Sequence, residues 1–208
     1  MRRRQFLFVL AVPAVAAANP SKTKTKKEEP EIGPVEDLMR EHGILRRVLM
    51  VYDEVVRRLR AGEKFDPQPL QRAAKLVQEF VEDYHEKNEE QHLFPRFEQK
   101  ELLPDLVATL RSQHQEGRRL TQQILHQQKL QPSLEQFTRM YRAHAAREDT
   151  VLFPALYQLM TKKELQQLGD RFEDLEHSLP LDFEKARDEI AAIEKAYDIG
   201  DLTRYTPV

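Results

Sequence analysis

The chain has 208 residues, 40% hydrophobic and 33% charged, with a formal net charge of −2 and neither cysteine nor tryptophan. That length suits one domain with extra segments. Without thiolates the chain cannot by itself form disulfides, iron–sulfur clusters, cysteine zinc sites or a cysteine nucleophile, and without a net basic field it is not expected to bind nucleic acid.

Residues 1–18, MRRRQFLFVLAVPAVAAA, combine three arginines, a short apolar run and small residues that offer A-x-A cleavage sites, which predicts a signal peptide. The apolar run is shorter than the ~20 residues that a spanning helix needs, so no transmembrane segment is expected in the mature form. Arg3-Arg4-Gln5-Phe6-Leu7 resembles the twin-arginine export signal, and the expected location is the bacterial periplasm. Removal of the three arginines leaves 30 basic against 35 acidic residues. Residues 19–34 hold prolines and the charged run Lys22 to Glu29 with few apolar side chains, and read as a disordered, solvated linker.

From residue 35 onward the apolar residues recur at helical spacing, and an all-α fold is predicted. The first helix, about 35–60, carries Leu38, His42, Leu45, Leu49, Tyr52, Val56 and Leu59 on one stripe and is closed by Gly62. The second follows the Asp66 cap and Pro67 and is expected to end near Phe94, before Pro95. The third, about 104–128, carries Leu106, Leu110, His114, Gly117, Thr121 and Ile124. The fourth is expected to begin at a capping box, Ser133 to Gln136, and to present Phe137, Tyr141, His144, Glu148 and Val151 until Pro154 interrupts it. Short connections make these four an up-down-up-down bundle over 35–160, and residues 161–208, opening at the capping box Thr161 to Glu164, add one or two C-terminal helices.

The chemistry lies in an internal repeat. His85 to Glu89 and His144 to Glu148 are both HxxxE, each followed by Leu-Phe-Pro at the same offset, and each is preceded by a helix with one inward histidine, His42 or His114. Positions i and i+4 of a helix lie about 6 Å apart on one face, so each HxxxE aims an imidazole and a carboxylate at one point. Four histidines and two glutamates on apolar stripes would cost on the order of 1–3 kcal/mol each if left without partners. A shared metal cluster satisfies them, and imidazole with carboxylate suits iron, manganese or zinc.

This pattern, H, HxxxE-LFP, H, HxxxE-LFP, resembles the hemerythrin-like (HHE cation-binding) domain over about 35–160. The resemblance implies two non-haem iron ions, with His42, His85, His114 and His144 as terminal ligands, Glu89 and Glu148 as bridges, and a solvent-derived bridge beside them. It also implies that a small molecule is bound there: dioxygen, nitric oxide or peroxide. The chain departs from the oxygen carriers of that family where Arg118 stands four residues after His114, in place of a fifth histidine. The remaining ligand set is similar to di-iron proteins of nitrosative stress and iron-centre repair, without their cysteine-bearing extra domain. Two imidazoles and two carboxylates per iron leave an open position on both, an arrangement expected to favour reaction over reversible carriage.

The leading reading is therefore an exported binding module. The alternatives are a di-iron enzyme reducing peroxide or nitric oxide, and a protein of iron storage or donation. His92, three residues after Glu89, is a candidate fifth histidine but has only Val151 as its counterpart, and reads better as a hydrogen-bonded residue near the bundle end. His126 and His177 are expected at the surface. Tyr84 and Tyr141 stand beside ligand positions as packing residues or hydrogen-bond donors, Gly117 clears space for a ligand or for close helix packing, and Glu90 and Asp149 orient ligand imidazoles or face solvent.

Overall fold

The computed structural model describes residues 33–207, so the expected signal peptide and nearly all of the expected linker lie outside the described residues. Helix α1 is Pro34–Ala61. Proline at its first position lacks only an N–H that would be unpaired there anyway. Gly62, at φ 67°, provides the left-handed turn that stops it, with the Glu63 N–H returning to the Arg58 carbonyl at 2.9 Å.

Helix α2 is a continuous rod over residues 67–99, made of Pro67–Leu76, a π-helical stretch Val77–His85, one α turn Glu86–Asn88, a second π stretch Glu89–Leu93 and Phe94–Gln99. The expected stop before Pro95 is therefore corrected. The N–H of Phe94 reaches back five residues to the carbonyl of Glu89, and this widened turn admits the prolyl ring without breaking the rod. The second half of the repeat does the same. Helix α4, over residues 130–159, joins Leu130–Arg147 to a π stretch Glu148–Leu152 and then Phe153–Leu159, and the Phe153 N–H donates to the carbonyl of Glu148. Pro154 thus continues α4 instead of interrupting it.

Helix α3 is Pro104–Leu125. It stops three residues short of expectation, because the chain reverses through Gln127 and Lys129 at positive φ. The capping box expected at Ser133 is also corrected: α4 already begins at Leu130, and the buried Ser133 hydroxyl bonds the Gln123 side chain at 2.8 Å instead. Two further helices follow, α5 (Lys162–His177), which does open on the Thr161–Glu164 capping box, and α6 (Phe183–Ala196). Among the described residues there is no strand and no helix long and apolar enough to cross a membrane.

Two apolar clusters organise the bundle. One gathers Leu45, Leu49 and Tyr52 of α1, Phe80 and Tyr84 of α2, Leu120 and Ile124 of α3, Phe137 and Tyr141 of α4, and Ile190 and Ile193 of α6. The other gathers Val35 and Leu38, Leu93, Phe94 and Phe97, Val107 and Leu110, Leu152, Phe153 and Leu156, and Phe172 of α5. Helices α1 and α3 run from the second cluster to the first, and α2 and α4 run back, which is the up-down-up-down order. Each large side chain so buried contributes ~1.5–3 kcal/mol. Between the clusters, at the same height on all four helices, lies a layer that is polar.

Candidate metal centre

That polar layer contains all six side chains singled out from the repeat, each between 0% and 2% exposed. Atoms of His42, His85, Glu89 and Glu148 form one group in which potential ligand atoms lie within 4.8 Å of one another, and Glu89, His114, His144 and Glu148 form another. The two groups share both glutamates. His42 and His144 place Nε2 at 3.3 and 2.9 Å from Glu148, while His85 and His114 place Nε2 at 3.7 and 3.4 Å from Glu89. Each group thus takes its two histidines from neighbouring helices, α1 with α2 and α3 with α4, while the shortest carboxylate contacts cross between the groups, Glu148 meeting α1 and α4 and Glu89 meeting α2 and α3.

The outward nitrogen of every imidazole is held. His42 Nδ1 lies 2.7 Å from Asp149, His85 Nδ1 2.5 Å from Glu41, His114 Nδ1 2.9 Å from Glu90, and His144 Nδ1 2.9 Å from Gln113. An Nδ1–H donated to these acceptors leaves the Nε2 lone pair facing inward, the tautomer a metal ligand needs. Inside, satisfaction stops: His42 Nε2, His85 Nε2 and all four carboxylate oxygens of Glu89 and Glu148 have no hydrogen-bond partner. His114 Nε2 and His144 Nε2 face each other at 3.3 Å. Buried lone pairs converging in this way are costly unless a cation lies among them, so the donor set fits a metal pair.

Protonation is correspondingly strained. Burial and the neighbouring Glu148 push the Glu89 carboxyl well above the ordinary carboxylate range. Burial acts on Glu148 too, but His144 and His42 more than reverse it and hold Glu148 well below that range. His42 loses by burial and gains more from Asp149 and Glu148, which raise it to about 9. Burial lowers His114 to about 4 and, with the neighbouring His42, drives His85 well below the usual imidazole value.

A family comparison bears on this geometry. The model of the hemerythrin HHE cation-binding domain matches residues 33–156. The chain belongs to that family. Uncharacterized proteins of Mycobacterium bovis and Mycobacterium tuberculosis are 38% identical to this hemerythrin-like chain over 218 aligned positions, covering 96% of it and 86% of each relative. No solved structure matches it significantly.

Several residues around the hemerythrin-like layer went unnoticed in the sequence or were left open there. Glu41 and Gln113 each directly precede the lone histidine of their helix yet serve the HxxxE histidine of the next one, so only the packing reveals their role. Glu90 and Asp149 are acceptors for His114 and His42, and arginines four residues after the lone histidines secure them: Arg118 bonds Glu90 at 2.9 Å and Arg46 pairs with Asp149. In place of a fifth histidine, Arg118 also lies 3.0 Å from the buried Glu86, which accepts a 2.5 Å bond from the Tyr141 hydroxyl. Tyr84 donates to the Phe172 carbonyl at 3.3 Å. His92 joins neither ligand group and lines a surface cavity with Arg96, Gln167 and Arg171. His126 and His177 are exposed.

Gly117 is explained by Tyr141. A Cβ at Gly117 would fall on the Tyr141 hydroxyl, well inside contact distance. Gly117→Ala, which in an open helix would gain about 1 kcal/mol, is expected here to destabilise the chain by ~1–3 kcal/mol. In a Tyr141→Ala background the same change is expected to turn neutral or stabilising, a sign reversal that urea unfolding of the four chains would read.

Acidic side chains crowd the outer flank of Glu41. Asp37 is raised to about 7 by burial first and then by Glu41, Glu176 and Glu173, against the opposing Arg40. The folded chain therefore keeps this proton to about pH 7, whereas an unfolded chain releases it near the ordinary aspartate value of 3.8. The resulting cost is absent below that lower value, grows between the two, and is complete above the upper one. Asp37→Asn is accordingly expected to stabilise the chain by ~1–3 kcal/mol at pH 8, discounted for its partial exposure, and to change little at pH 4. Denaturant midpoints at the two pH values would check it.

Proposed function

We propose that this hemerythrin-like domain is an exported di-iron protein that captures a small diatomic or oxidant molecule, dioxygen, nitric oxide or peroxide. The observation that carries the reading is the sharing of Glu89 and Glu148 by two four-residue groups, each completed by two imidazoles whose outer nitrogens are already engaged. His42 and His85 would hold one ion, His114 and His144 the other, and the two glutamates both. Four protein donors per ion leave room for a solvent bridge and an open position. When bound, the iron pair supplies the Lewis acidity and redox electrons that such small molecules need. The chain's own contribution is to fix the imidazole tautomers through Asp149, Glu41, Glu90 and Gln113, and to exclude bulk water with Phe94 and Phe153, whose rings stack on His114 and His42 at centroid distances of 5.4 and 5.5 Å.

The export part of the proposal rests on the arginine-led, apolar amino terminus, and periplasmic recovery of a shortened chain from a bacterial host would check it. The di-iron part is tested by metal analysis of the purified protein with optical spectra of the reduced form before and after exposure to oxygen, nitric oxide and peroxide. Two irons per chain and a spectral response to one of these molecules are expected. A reversible response marks a binder, and steady consumption of peroxide or nitric oxide marks an enzyme. Purified chain without transition metal, and without uptake of added ferrous iron, would refute the proposal.

A further inference from the structure

The internal repeat surrounds both halves of the layer with the same kinds of residue. Each lone histidine is followed four residues later by an arginine, Arg46 or Arg118, and each shared glutamate is followed by an acid, Glu90 or Asp149, that accepts from a lone histidine. The likeness fails at the residue before the lone histidine. In the first half that residue is Glu41, and in the second it is Gln113.

The difference reaches the metal positions directly. His42 and His85 both donate to carboxylates, Asp149 and Glu41, at 2.7 and 2.5 Å. His114 and His144 donate to a carboxylate and an amide oxygen, Glu90 and Gln113, both at 2.9 Å. Glu41 is only 3% exposed, and no arginine or lysine pairs with it among the described residues, since Arg40 donates instead to Asp37 at 3.1 Å; burial first and then Glu176 push its carboxyl up to about 8, a cost that a cation on His85 offsets. A metal-bound imidazole carries part of the cation's charge to its N–H, and a carboxylate acceptor stabilises that charge where an amide oxygen does so far less. Glu86, next to His85 on α2, comes within 4.8 Å of a His114 nitrogen but does not offset this, because it makes no hydrogen bond to a ligand histidine: one oxygen accepts from Tyr141 and the other lies 3.0 Å from Arg118, whose charge balances it.

We infer that the two metal positions are unequal: the one formed by His42 and His85 fills first and holds its ion more tightly than the one formed by His114 and His144, with Glu41 and Gln113 setting the order. This rests on the two-metal reading above. It assigns Glu41 and Gln113 as positioning residues, acting on the metal only through the imidazoles they orient.

The test is a titration of the full-length chain, freed of metal under nitrogen, with ferrous iron and with cobalt(II) as a spectroscopic probe. Two steps are expected, separated in affinity by ~10–100-fold, the usual effect of an outer hydrogen-bond partner. Crystals grown with one equivalent of cobalt should show anomalous density between His42 and His85. Glu41→Gln should close most of the gap, Gln113→Glu should tighten the weaker step ~10-fold or more, and the double exchange should move the first cobalt to His114 and His144. Either single exchange suffices if the other fails to fold, which circular dichroism would reveal. Equal steps in the wild type, a first ion at His114 and His144, or a gap and order unmoved by the exchanges would overturn the inference while leaving two-metal binding intact. Uptake of fewer than two ions by the wild type would instead remove the reading on which it rests.

Discussion

Replacing Glu89 with leucine is expected to stabilise the metal-free chain and at the same time to destroy its response to metal. Glu89 is wholly buried, neither of its oxygens has a hydrogen-bond partner, and burial with the adjacent Glu148 keeps its carboxyl well above the ordinary range. A leucine of similar volume removes that desolvation cost, so a gain of ~1–3 kcal/mol in the metal-free state is expected. The same carboxylate belongs to both ligand groups. Its loss should lower metal content from two ions to one or none and weaken binding by more than the ~100-fold that loss of a ligand's hydrogen-bond partner costs at most. Glu148→Leu should abolish metal binding equally, but without the gain, because Glu148 is the ionised partner of His144 and His42 at 2.9 and 3.3 Å. Unfolding curves with and without iron, alongside metal analysis, read both signs. A metal-free Glu89→Leu chain several kcal/mol less stable than wild type would show that the glutamate is satisfied without metal.

Stripping the metal from the wild-type protein is the second large effect. A ligand at 100 times its dissociation constant stabilises the folded state by about 2.7 kcal/mol per site, and two such sites by about twice that. For a domain of this size each kcal/mol corresponds to roughly 2–4 °C in Tm, so chelation is expected to lower Tm by ~10–20 °C. The loss should concentrate in the central layer, where three π stretches, Val77–His85 and Glu89–Leu93 in α2 and Glu148–Leu152 in α4, hold His85, Glu89 and Glu148. Calorimetric scans with and without chelator measure the first part, and amide hydrogen exchange of Glu89–Leu93 and Glu148–Leu152 the second. A melting temperature indifferent to chelation would mean that the chain holds no structural metal.

Much of the architecture was legible from periodicity. The helix that ends at Gly62, the helix that opens at Pro67 after Asp66, and the capping box at Thr161 all stand where backbone chemistry required them. The errors cluster at Pro95, Pro154 and Ser133. A proline inside a helical pattern ordinarily ends the helix, and nothing local announces a π turn, which shifts one hydrogen bond from the fourth to the fifth residue back. That turn belongs to the Leu-Phe-Pro motif: it carries the shared glutamate at its start and lets the phenylalanine seal the layer. Ser133 had the right neighbours for a cap but lies inside a helix that begins at Leu130, because the chain reverses at Lys129 in a left-handed conformation that its residue type does not advertise.

The apolar periodicity determined by itself an all-helical chain, and the repeated spacing of histidine and glutamate, which carries the family resemblance, named the six side chains that the structure gathers at one height, because i,i+4 geometry is a property of any helix. What surrounds them was settled only by tertiary packing. Glu41 serves His85, Gln113 serves His144, Asp149 serves His42 and Glu90 serves His114, each across a helix boundary, and Tyr141 fills the notch at Gly117 while Glu86 meets Arg118. Contacts between helices depend on crossing and rotation of whole rods, and no spacing along one chain segment encodes which side chain of the next rod will come within hydrogen-bond reach.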